Sequence, residues 1–111
     1  MDSILEVLVM KYLIKIGISK EVVEEVENNC TKGEIESIIN CMSRLESSIL
    51  YLRELGVRND VIEEILVIDH HVLMPGRKHL EVALSKLNNV NDFVIAINEH
   101  VEYMDYLRNI S

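Results

Sequence analysis

Apolar residues return at three- and four-residue steps along nearly the whole chain. That spacing lines one face of an α-helix, whereas a half-buried strand alternates every second residue. The first run, 4–16, is denser than the rest: ten of its thirteen positions are apolar. Leu5, Leu8, Val9, Tyr12, Leu13 and Ile16 cover one broad side of this helix, and Ile4, Val7, Met10 and Ile14 cover the other. A helix apolar nearly all round is expected to be buried. Gly17 is the expected stop, because it enters the left-handed conformation without strain.

Ser19 is the expected cap of a second helix, with Glu21, Glu24 and Glu25 near its positive end. "NNCTKG" (28–33) ends it. A long third helix follows from the stripe Ile35, Ile38 or Ile39, Met42, Leu45, Ile49, Leu52 and Leu55, and Gly56 stops it. Asn59 or Asp60 is the expected cap of the fourth, with Glu63 at capping-box distance from Asp60. Its stripe is Val61, Ile65, Ile68 and Val72, and Pro75-Gly76 terminates it. A fifth helix is expected over about 77–87 and a sixth over about 91–110. "ILVI" (65–68) and "FVIAI" (93–97) taken alone could be strands, but the helical spacing extends well beyond both. The expectation is an all-α, compact bundle of five to six helices.

One phrase occurs twice. "YLIKIGISKEVVEEV" (12–26) and "YLRELGVRNDVIEEI" (51–65) share six identical residues of fifteen, including the Tyr, the Gly and the Glu-Glu pair. This points to internal duplication of a helix–Gly–helix–loop–helix unit. The organisation expected is a single helical domain over 1–111, with units at about 4–45 and 46–89 and a C-terminal helix at about 91–110. Two units are too few for a self-sufficient solenoid, which needs about three with capped ends.

Charge narrows the function. The net charge is −8, and both halves carry an acidic excess. No basic stripe exists to neutralise phosphates, so direct nucleic-acid contact and docking on an acidic membrane are both disfavoured. Cys30 and Cys41 form no disulfide framework and no CxxC, which fits reduced thiols and a cytoplasmic protein.

Three motifs carry possible chemistry. "LGVRNDVI" (55–62) has the form of a helix-turn-helix, but its second helix would offer Asp60, Glu63, Glu64 and Asp69 to phosphate. "ILVIDHHVLMPG" (65–76) resembles the namesake motif of the DHH phosphoesterases, in which it ends a strand and helps hold a catalytic divalent metal. That resemblance makes Asp69, His70 and His71 candidate metal ligands, with His79 nearby. The sequence departs from the family in length and in lacking its upstream aspartates: only Asp2 precedes Asp60. The helical reading places the same three residues at a helix end, where cations suit the dipole. "KIGISKEVVEEVENN" (15–29) followed by "IESIINCM" (35–42) is similar to the rhythm of ubiquitin-associated domains, but Ile18 and Val57 stand where a large aromatic residue is usual.

No phosphate loop, nucleophile elbow or cofactor motif is present, so no cofactor and no catalytic residue are expected. The function expected is therefore protein–protein contact, chiefly self-association as a homodimer, with Val7, Met10 and Ile14 as the interface. The alternatives are a helix-turn-helix-like, transcription-associated regulator and a small metal-dependent hydrolase using Asp69-His70-His71.

Overall fold

The computed structural model describes residues 4–108. It is built from eight α-helices: α1 (Ile4–Lys15), α2 (Lys20–Asn28), α3 (Lys32–Asn40), α4 (Met42–Leu55), α5 (Asn59–Asp69), α6 (Arg77–Ser85), α7 (Val90–Glu99) and α8 (Asp105–Arg108). Two 3₁₀ turns, His70–Val72 and Val101–Met104, follow α5 and α7. Among the described residues there is no strand. The radius of gyration, 13.7 Å, is close to the ~13 Å of a compact chain of this length, although the molecule is drawn out to 46 × 25 × 20 Å.

The helix count exceeds the five to six expected from the stripes, for two reasons. The expected third helix breaks at Cys41, which leaves helical geometry (φ −107°, ψ 12°) and separates α3 from α4. The apolar steps run through the break undisturbed, from Ile38 to Met42 to Leu45. The expected sixth helix breaks at His100, whose extended backbone (φ −141°, ψ 100°) ends α7. The rest of the expected 91–110 span becomes a 3₁₀ turn and the short α8, and its last two residues lie outside the described chain.

Both copies of the repeated phrase form the same turn. Gly17 and Gly56 have φ of 95° and 101°. At the first, the Ile18 amide bonds the Leu13 carbonyl and the Gly17 amide bonds that of Ile14; at the second, Val57 bonds Leu52 and Gly56 bonds Arg53. This pair of hydrogen bonds is the Schellman closure, and the buried Ile18 and Val57 supply its apolar contact. The capping expectations fare differently. Ser19 does sit at the N-cap of α2, but its side chain makes no cap bond. Arg58, not Asn59 or Asp60, is the N-cap of α5. The capping box forms elsewhere, between Thr31 and Glu34 at the start of α3.

The core is one cluster containing Val9, Leu13, Ile18, Ile38, Leu45, Ile49, Leu52, Ile62, Ile65, Leu73, Leu80, Leu84 and Ile97, among others. It takes the inward faces of the stripes. Helix α5 packs on α2 and α4 and on both 3₁₀ turns, while α6 packs on α4. Gly76 (φ 104°) carries the chain from Pro75 into α6 against Arg44, whose Cβ would lie 3.3 Å from any Cβ added there. Buried Ser48 ties α4 to the segment after α5 by donating to the Leu73 carbonyl at 2.6 Å.

Helix α1 packs chiefly on α2 and α3. Only Val9 and Leu13 are fully buried on it. Ile4, Val7, Leu8 and Ile14 are 76%, 42%, 50% and 43% exposed. A helix apolar all round is therefore covered on one side only, and Leu8, expected on the covered side, faces outward.

Candidate functional site

Two places gather the residues that composition and motif single out. The first is the outer face of α1. Val7, Met10 and Ile14 line an open groove of about 570 Å³ together with Glu6, Lys11, Lys15, Lys20 and Glu27. The three apolar residues recur at steps of three and four, so they form one stripe along the helix. The α1–α2 Schellman turn positions Lys20 at the groove's rim. Three lysines against two glutamates make this a locally cationic patch on a chain whose net charge is −8.

The second place is the junction of α2, α3 and the end of α5. Asn29 closes α2 and Thr31 opens α3, so Cys30 is fixed between two caps. Glu34 Oε1 accepts from the Thr31 amide at 2.9 Å, and the Glu34 amide donates to Thr31 Oγ1 at 3.1 Å. Across from them, Asp69 leaves the helix and accepts from the His71 amide at 3.1 Å, which sets the 3₁₀ turn. That turn sends the adjacent histidines to different partners although their rings stack at 4.1 Å. His70 is buried, with Nδ1 3.9 Å from Cys30 Sγ. His71 is exposed, with Nδ1 2.9 Å from Asp69 Oδ1 and Nε2 3.6 Å from Glu34 Oε2.

Ligand atoms of Cys30, Glu34 and His70 all lie within 4.8 Å of one another. Asp69 is engaged elsewhere: Arg108 Nε donates to its Oδ2 at 3.1 Å. His79 lines a separate depression with Asp69, His71 and Arg108. Of Asp69, His70, His71 and His79, then, His70 alone enters the close three-residue group. Sequence reading passed over its partners. Cys30 and Glu34 stand four apart at a helix start, which is a usable signal; Cys30 and His70 are forty apart, and nothing local joins them.

The electrostatics follow from burial. It pushes the Cys30 thiol up to about 11, with Glu34 and Glu27 adding to the shift. It also pushes His70 down, reinforced by His71 and opposed by Glu34 and Asp69, which favours the neutral imidazole. Burial would raise Asp69, but the bonds from His71 and the charge of Arg108 outweigh it and hold the carboxyl below its usual range. The Thr31 amide holds Glu34 below its usual range.

Helices α4 and α5 are joined by the Gly56 turn, and α2 packs on α5. Glu25, Asp60, Glu63 and Glu64 line the depression beside them with Val22, Val67 and Ile68. An acidic surface of this kind repels a phosphate backbone. No family model, no curated protein and no solved structure matches the chain. Among the described residues no helix is long and apolar enough to cross a membrane.

Proposed function

We propose that this protein acts through protein–protein contacts and that its partner is a second copy of itself, docked along α1. The observation supporting this is the outward pair Val7 and Ile14, which line an open groove together with the half-buried Met10. Two copies of a −8 chain repel over most of their surface. The lysine-rich rim of this groove is where that repulsion is weakest.

The sequence of α1 also suits a two-fold axis. In a closed dimer the same patch meets itself, so each residue must complement its symmetry mate. An antiparallel pairing centred between Met10 and Lys11 sets Val7 against Ile14 of the second copy, so that apolar meets apolar.

Light scattering coupled to size exclusion tests the reading. The wild type should run at about twice the 12.8 kDa chain mass, and Val7→Glu and Ile14→Glu should run as helical monomers. A monomeric wild type at micromolar concentration, or a dimer that survives both substitutions, would overturn it.

A further inference from the structure

The junction of α2, α3 and α5 goes beyond self-association. We propose that Cys30, Glu34 and His70 bind one divalent transition-metal ion, zinc being the best chemical match, and that the ion fastens the α2–α3 junction to the end of α5.

The donor set is the first argument. Thiolate, imidazole and carboxylate are the three side-chain types that ligate zinc. The sulfur and the nitrogen select it over magnesium and calcium, which take oxygen ligands. Distance is the second. Zinc bound tetrahedrally at its usual bond lengths holds sulfur and nitrogen about 3.6 Å apart. Cys30 Sγ and His70 Nδ1 are 3.9 Å apart, so an ion needs only a small closure. The third donor is within 4.8 Å of both.

The surroundings hold these side chains for the task. Thr31 engages Oε1 of Glu34, as an outer hydrogen bond orients a ligating carboxylate. His70 is only 7% exposed, so its ring is held inside the junction. Three protein ligands leave one position for a water or for His71, whose Nε2 is 3.6 Å from Glu34 Oε2. On binding, the Cys30 S–H bond breaks, the proton goes to solvent, and the sulfur lone pair forms the metal bond. No electron is transferred and no other reactant is needed.

The test uses the full chain, stripped with a chelator and titrated with cobalt(II) and then zinc(II). One cobalt per chain should bind, with a thiolate-to-metal charge-transfer band in the near ultraviolet, and zinc should displace it. Cys30→Ser should abolish the band. Glu34→Gln retains an acceptor for the Thr31 amide and should still weaken zinc binding at least about tenfold, without loss of helical circular dichroism. His79→Ala and His100→Ala should change neither. Absence of the band, or zinc affinity unchanged in both Cys30→Ser and Glu34→Gln, would overturn the assignment and leave only adventitious binding at surface histidines.

Discussion

The side-chain amide of Asn59 donates to the carbonyl of Gly17 at 3.1 Å, across 42 residues of chain. Asn98 does the same for Gly56 over the same separation and distance. The two Schellman turns are thus each closed from outside by an Asn, although Asn59 opens α5 and Asn98 lies near the end of α7. The N-caps are also served from afar. The Ser19 amide donates to Glu63 Oε2 at 2.7 Å, and the Arg58 amide donates to Asn98 Oδ1 at 2.9 Å.

Asn98 therefore holds both sides of the second turn. Asn98→Ala removes the donor to Gly56 and the acceptor for Arg58, and should cost about 1–2 kcal/mol in urea denaturation, near the sum of two modest hydrogen bonds. A cost below about 0.5 kcal/mol would mean that water replaces both.

The glycines themselves are conformationally required. Gly17→Val and Gly56→Val should each cost more than ~1 kcal/mol, because a β-branched side chain is strained at positive φ. Crowding adds little: an added Cβ at Gly17 meets the flexible tip of Arg53 at 3.0 Å, and at Gly56 it meets Val94 at an ordinary 3.7 Å. Chemical denaturation should therefore place the two costs close together.

Ser48 offers a contrasting test in the core. Ser48→Ala leaves the Leu73 carbonyl without the hydroxyl that donates to it, which should lower stability by about 1–3 kcal/mol with no change in oligomeric state. Thermal melts beside light scattering read both quantities.

Much of the fold is legible along the chain. The three- and four-residue steps mark the helices, and Leu45, Ile49, Leu52, Val61 and Ile65 of the expected stripes are buried, whereas Ile68 is 55% exposed because α5 turns that position to solvent. Gly17 and Gly56 announce their turns, because a positive φ is a local demand that one residue type meets without strain. The repeated Tyr is less informative. Tyr12 donates its hydroxyl to Glu46, whereas the Tyr51 ring lies under the Arg77 guanidinium at 4.8 Å. Identical residues in the two copies meet different neighbours.

What depends on neighbours could not be read locally. The break at Cys41 leaves the apolar stripe in phase, so periodicity passes over it. Asp60 and Glu63 have capping-box spacing, yet Glu63 serves Ser19, because packing α2 on α5 brings that amide within reach. Asp69, His70 and His71 are consecutive, but the turn after α5 sends His70 inward to Cys30 and His71 outward to Asp69 and Glu34. The exposure of Val7 and Ile14 is likewise a result of assembly, since only α2 and α3 pack substantially on α1. Local periodicity and φ preference act within a few residues and act on any chain carrying that pattern. The meeting of Cys30 with His70 requires forty residues of chain to close, and that closure is set by which helix faces find each other in the packed core.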